Sequence, residues 1–534
     1  MESHDYVIVG GGTAASIVAY RLGERGHKVC VLEAGPADSS PYIRIPVGWT
    51  KTLKDPRVTW QFQYQGSAGT NGRATPLVQG RVLGGSSAVN GAVYNRGQAQ
   101  DFDLWAAQGN PGWSYPEVLP WFRKSEHFHE PGHEQHRGDR GPMPVTVTPW
   151  RAVVGDTFLQ GAHSVGIPLN PDYNGAEQTG IGYVQSNIRK GRRWSTAHGF
   201  LHPARSRFGV RVITDATVTR VVIDDGRARG VDVRIGNQSA TQRIIATRGV
   251  VLCAGAIGSP KLLQLSGIGP AQVLGKAGIA VTRELPGVGE NLRDHFVPRV
   301  IVRGKPDVLS INQRVRGLPL LSELLNWALG RPSVLAVSPV LIYGFWKSRP
   351  ELPTADFALS YFPASYKLGM IGHIDDQPGL TCGGFALRPE STGYVRVNSA
   401  DDRDAPEIQP NFLAHEQDQA VTLAALKCAR AVMHSAPMQA LVQSELLPGA
   451  EVQTDDEWMH YARQYGSTGY HPMGTCKMGP ADDPLAVVDA NLRVHGVEGL
   501  SVMDASVMPT MPSANTAAAT MMIAEKGAAG LDAA

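Results

Sequence analysis

Tyr6-Val7-Ile8-Val9 runs straight into Gly10-Gly11-Gly12 and then Thr13-Ala14-Ala15, a pattern suited to binding a nucleotide pyrophosphate. Gly10 fits the tight turn after an apolar strand, and Gly12 lets a phosphate approach the backbone. Ala15 stands where a third glycine often governs helix–strand packing. A helix over 14–25 aims its positive N-terminus at those phosphates. A second strand, Lys28 to Leu32, ends in Glu33, 23 residues after Gly10. An acid about 20 residues on is the expected acceptor for ribose hydroxyls. Singly, the glycines could be a plain turn and Glu33 a surface acid. Strand, turn, helix, strand and acid in that order point to a dinucleotide.

Two further runs carry chemistry. Gly80-Arg81-Val82-Leu83-Gly84-Gly85-Ser86-Ser87-Ala88-Val89-Asn90 is a glycine-rich loop whose backbone can approach a planar ligand. In Tyr470-His471-Pro472 the proline excludes a helix at the histidine and leaves an extended, loop-borne imidazole. Among 16 histidines, one such ring taken alone reads as structural. Ser513-Ala514-Asn515-Thr516 opens a last helix of small residues, which gives Asn515 the simple role of a helix cap.

These runs need elements to hold them. Arg248 to Cys253 reads as a short buried strand ended by Ala254-Gly255, after which Ser259 caps a helix with Pro260 in its first turn. Gly393 to Asn398 alternates as a half-exposed antiparallel strand, and Ala420 to Met433 is a helix. At 534 residues the chain exceeds the ~250–300 that one core supports. A net charge of +2 gives no support to nucleic-acid binding. The 5 scattered cysteines argue against a disulfide framework, and none has metal-ligand spacing, so no metal is expected. Val334 to Trp346, broken by Pro339, is too short to span a bilayer. Only Met1 to Asp5 precede the first strand, so no signal peptide is expected. The expected location is the cytoplasm, with peripheral membrane association left open.

The Gly80–Asn90 run, continuing through Tyr94, Gly97 and Asp103, resembles the first signature of the glucose-methanol-choline (GMC) flavoprotein oxidoreductases. Gly255 to Gly269 resembles the second, with Leu285 to His295 and a block from His471 to Lys526 following. The resemblance implies an α/β fold: a Rossmann-like FAD-binding domain over 1–150, 203–300 and 465–534. An α+β substrate-binding domain with an antiparallel sheet takes 151–202 and 301–464. It implies that His471 and Asn515, 44 residues apart, are the catalytic pair facing the flavin N5. FAD contacts are implied at Gly10, Gly12, Thr13, Ala14, Glu33, Arg81, Val82, Gly85, Ala254, Asp504, Ala505, Asn515 and Thr516. Asn90, Gly91, Ala92 and Val93 are to run along the isoalloxazine, and Val218 along the adenine edge. Trp60 either packs near adenine or is a core tryptophan. Some members attach FAD through a histidine just before the signature asparagine; Val89 stands there, so FAD is expected to be non-covalent.

The implied reaction is oxidation of a primary alcohol, sugar or polyol to an aldehyde or ketone, nearest in texture to L-sorbose, alcohol and choline dehydrogenases. An imidazole near its ordinary pKa of about 6.5 takes the hydroxyl proton, and Asn515 orients the substrate. No cluster of acids or aromatics near the signatures marks a quaternary-ammonium pocket, which leaves choline as the alternative. Oxidase and dehydrogenase are not separated, nor is the electron acceptor (O2, quinone or other). Non-redox members, hydroxynitrile lyases and photodecarboxylases, keep a third reading open.

Overall fold

The computed structural model describes residues 3–531 apart from 129, 131–132, 134, 239 and 368–372. Two sheets organise the chain. In the first, Ser3–Val9 lies between Val29–Leu32 and Gln242–Leu252, parallel to both. Arg211–Ile213 and Leu500–Val502 continue the parallel set outward on the two sides. The hairpin of Ala216–Asp224 and Arg227–Ile235 extends it antiparallel. Val7-Ile8-Val9 and Val29 to Leu32 are fully buried, as strands covered on both faces must be. Helices Thr13–Glu24 and Thr516–Gly530 pack together on this sheet, and Arg21 Nε donates to Glu525 at 2.8 Å, joining the two ends of the chain.

Register places the site. Val9 is level with Leu32 and Leu252, Leu32 with Ile213, and Leu252 with Val502. The carboxyl ends of these parallel strands therefore stop at one edge, where ligands of open α/β sheets bind. The strand expected over 248–253 is the end of an 11-residue one.

The helix after it departs from expectation. It runs Gly255–Leu265, with Pro260 inside it and not in its first turn. Pro260 lacks the amide that would bond the Ala256 carbonyl, and Thr475 Oγ1 donates there instead at 2.6 Å. Ser259 is not the cap: its Oγ accepts from the Ala254 amide at 3.1 Å and donates to Asp504 at 2.6 Å. A donor 215 positions later in the chain keeps this helix whole.

The second sheet is antiparallel, in the order Val442–Leu447, Arg299–Gly304, Gly379–Ala386, Phe357–Phe362, Ile342–Trp346, Gly180–Tyr183. Helix Glu416–Met433 backs it, and Gly384 admits Ala425: a Cβ there would lie 3.0 Å from it. The strand expected over 393–398 is Tyr394–Arg396, paired antiparallel with Glu407–Gln409. All five cysteines are free, and among the described residues no helix is long and apolar enough to cross a membrane.

Candidate active site

A cavity of about 1370 Å³ lies between the carboxyl edge of the first sheet and one face of the second. Gly10, Gly12, Thr13, Ala14 and Glu33 line it from the first two strand ends, and Ala254, Asp504 and Ala505 from the next two. Gly85, Asn90, Gly91 and Val93 join from the first signature, Val218 from the hairpin, and His471, Asn515 and Thr516 from the C-terminal block. Trp60 lines it too and is 36% exposed, which rules out the core reading.

Arg81, Val82 and Ala92 do not line the cavity. Val82 is buried in an apolar cluster with Ile43, Val58 and Ala88. The Arg81 guanidinium lies over the Trp60 ring, 4.9 Å from its centroid. Ala92 is buried, its amide donating to Asn90 Oδ1 at 2.8 Å and its carbonyl accepting from Asn187 at 2.8 Å.

The two glycine-rich turns touch through their backbones. Gly10 has φ +95°, and a Cβ on it would stand 2.6 Å from the Cys253 carbonyl oxygen. A Cβ on Gly85 would meet Gly12 Cα at 2.7 Å, and the Gly84 amide donates to the Gly11 carbonyl at 2.8 Å. Glu33 also braces the first turn, a role its spacing did not show. It accepts from the amides of Gly11 at 2.6 Å and Gly35 at 2.8 Å. Burial nonetheless pushes its carboxyl up to about 7. Asp504 accepts from Gly255, Ser259 and Ser506, tying the last strand end to the second signature.

His471 is loop-borne and held from two sides. Phe296–Val297 pairs antiparallel with Ser467–Thr468, and the Gly469 amide donates to the His295 carbonyl at 2.7 Å. The His471 amide donates to Asp294 Oδ1 at 2.8 Å. The ring states follow from the hydrogen bonds. His295 Nε2 lies 2.8 Å from the Leu387 carbonyl, which only accepts, so Nε2 carries the proton and Nδ1 a lone pair. His471 Nδ1 lies 2.9 Å from that lone pair and donates to it. The lone pair of His471 therefore sits on Nε2, 2.8 Å from Asn515 Nδ2. A neutral imidazole whose Nε2 lone pair faces the cavity can accept a hydroxyl proton once the hydroxyl takes the place of the Asn515 amide on it.

The structure corrects two expectations here. The His471 ring does not keep an ordinary pKa: burial and the His295 ring beside it hold it well below 6.5. Asn515 is the N-cap residue by position, but its side chain makes no capping hydrogen bond. The amide instead serves His471, and Oδ1 is buried with no hydrogen-bond partner among the described residues. Asp294 and His295 close the Leu285–His295 stretch, and only the fold sets them against His471.

The N-terminal pattern of the GMC oxidoreductases matches residues 4–297, and their C-terminal pattern matches 389–524. The chain belongs to the GMC oxidoreductase family. It is 36% identical to an oxygen-dependent choline dehydrogenase of Photobacterium profundum, over 98% of this chain and 92% of that one. Among solved structures, a pyridoxine 4-oxidase from Mesorbium loti superposes with TM-score 0.89 at 29% identity, over 98% of each chain. An FAD-dependent oxidoreductase from Chaetomium thermophilum gives TM-score 0.89 at 25% identity, over 99% of each. This GMC oxidoreductase is an FAD-dependent flavoprotein enzyme acting on CH–OH donors.

Its residues fit that cofactor. Helix Thr13–Glu24 has no side-chain cap at Gly12, so its first amides stay free for a pyrophosphate. A Cβ placed on Gly12 would meet no protein atom closer than 3.8 Å, so the approach is open. Helix Thr516–Gly530 likewise begins on the cavity without a side-chain cap, a second positive pole for an electron-accepting ring system.

Proposed function

We propose that this protein oxidises the carbinol of an alcohol to a carbonyl, with His471 as the base and Asn515 as the orienting donor. The observation that carries the proposal is the 2.8 Å contact of Asn515 Nδ2 with the lone pair of His471 Nε2 on the cavity wall. A hydroxyl entering there displaces Nδ2 from that lone pair, accepts an Nδ2 proton on its oxygen and donates its own proton to Nε2. The resulting imidazolium lies against the forming charge and stabilises it. When bound, FAD supplies the acceptor for the carbinol hydride. His295 and Asp294 are positioning residues: one fixes the ring state of His471, the other its main chain. We also propose that the first sheet and its helices form the cofactor domain and the second sheet the substrate domain, divided as the sequence suggests.

Anaerobic addition of alcohols, followed by flavin absorbance, tests the reaction. Bleaching by at least one alcohol class supports it; no bleaching across primary, secondary, sugar and amino alcohols and hydroxy acids refutes it.

Choline is the second reading, favoured by the name of the Photobacterium relative. The structure also revises the view that no aromatic cluster is present. Tyr343, Phe362, Tyr366, Phe385 and Tyr461, scattered in sequence, all line the substrate side of the cavity. Such rings can hold a quaternary ammonium by cation–π attraction.

Two measurements check details of the site. With Val89 at the attachment position, FAD is expected to leave with the supernatant on acid precipitation, and colour kept in the pellet would overturn non-covalent binding. The pH profile of flavin reduction tests the state of His471. Because burial and His295 lower its pKa, the base stays neutral at and above pH ~6.5. The rate should be flat there and fall only in more acidic solution, as the ring takes a proton. A rise through an ionisation at or above 6.5 would contradict the tautomer chain.

A further inference from the structure

Arg299, Gly383, Ser360 and Tyr343 stand opposite one another on adjacent strands of the second sheet, forming one row across the cavity face. All four line the cavity. Gly383 keeps the row open beside the Arg299 stem; a Cβ there would crowd Ser360 Oγ at 2.8 Å and Val297 Cγ1 at 3.0 Å.

Among the described residues Arg299 has no counter-ion. Its Nη1 donates to the Val297 carbonyl at 3.0 Å and Ser467 Oγ at 2.8 Å, and Nε and Nη2 have no partner among the described residues. Its neighbour Arg303 is paired with Asp375 at 3.1 Å. The other carboxylates on the cavity wall are engaged elsewhere. Glu33 and Asp504 hold backbone amides at the strand ends, and Asp402 pairs with Arg234. Burial lowers the Arg299 pKa, yet guanidinium remains charged at any working pH. A half-buried guanidinium on the cavity wall without a counter-ion favours an anion there, and its Nε–Nη2 edge is the fork that matches a carboxylate in bidentate fashion.

We propose that Arg299 holds a carboxylate of the substrate, so that the alcohols oxidised are hydroxy acids. The proposal rests on the alcohol-oxidation reading above and narrows it. The paired segments run from Arg299 beside Ser467 to His295 beside His471. Arg299 opens strand Arg299–Gly304 of the second sheet, whereas His295 precedes Phe296–Val297, which pairs in a separate two-stranded sheet, so anchor and base stand on different elements. The acid group and the carbinol are therefore separate ends of the substrate, as in a terminal hydroxy acid. A quaternary ammonium gains from the aromatic rings but meets a bare guanidinium of like charge in a poorly screened site.

The test uses holoenzyme and a matched set: a terminally hydroxylated hexanoate, its methyl ester, and choline. Rapid anaerobic flavin reduction gives an apparent Kd for each. The hydroxy acid is expected to bind about 10- to 100-fold more tightly than the ester, and Arg299→Gln to bring that ratio close to one. Arg299→Lys, which keeps the charge but not the fork, should fall between. Equal Kd for acid and ester in the wild type, or tighter binding of choline, would overturn the proposal without any variant. Hexanoate, which has no hydroxyl to oxidise, supplies a readout free of the reaction. Its binding heat should appear in the wild type and vanish in Arg299→Gln, and persistence in the variant overturns the anchor. Hexanoate binding that needs Arg299 in a protein no alcohol reduces would support the anchor while refuting alcohol oxidation.

Discussion

His471→Ala is expected to slow anaerobic flavin reduction by about 10²–10⁴-fold while FAD content and visible spectrum stay close to wild type. The separation is predictable because the His471 main chain, not its ring, is what Asp294 holds. Removing the ring deletes the acceptor at Nε2 and leaves His295 still bonded to the Leu387 carbonyl. Asn515→Ala should cost less: it removes a donor and the substrate angle that donor sets, but the proton acceptor stays. Rapid-reaction spectroscopy without oxygen is the appropriate measurement, since it isolates hydride transfer from reoxidation. Near-normal reduction in His471→Ala would sink the mechanism.

What the sequence showed depended on how local the physics was. Gly10, Gly12 and Glu33 were legible because turn, helix and strand end lie within one short unit, whose spacing is fixed by the chain itself. The strand ends meet at one edge for the same reason: parallel strands fed by crossover helices level their carboxyl ends. Contacts between distant segments were not legible. Ser259-Pro260 carries a helix-start signal, and only Thr475, brought across by the fold, lets the helix run through it. Asn515 carries a cap signal, and only the nearness of His471 diverts its amide. Val82 lies inside a signature yet packs into apolar core, because residues of a ligand-binding loop alternate between ligand and interior. The substrate wall is the extreme case. Arg299, Ser360 and Tyr343 share a row through strand register alone, which no motif records.

Gly85→Ala is expected to lower FAD retention at least tenfold, although it adds a single methyl group. Gly85 has φ +51° and ψ −137°, a conformation open to glycine and strained for other residues. Strain of this kind costs about 1–3 kcal/mol. The larger effect comes from position. The added Cβ would stand 2.7 Å from Gly12 Cα, and backbone cannot swing aside as a side chain can. The two glycine-rich turns, joined by the Gly84–Gly11 hydrogen bond, would have to part just where Gly12 opens the phosphate approach. Gly226→Ala separates the two causes. Gly226 also has positive φ, +74°, but a Cβ there meets nothing within 4 Å, and it lies in the turn of a hairpin remote from the strand ends. It should lose a little stability and keep its FAD. The ratio of flavin to protein absorbance after gel filtration reads both variants. Equal FAD loss in the two would assign the effect to strain alone, and full retention in Gly85→Ala would mean that contact between the turns does not shape the cofactor site.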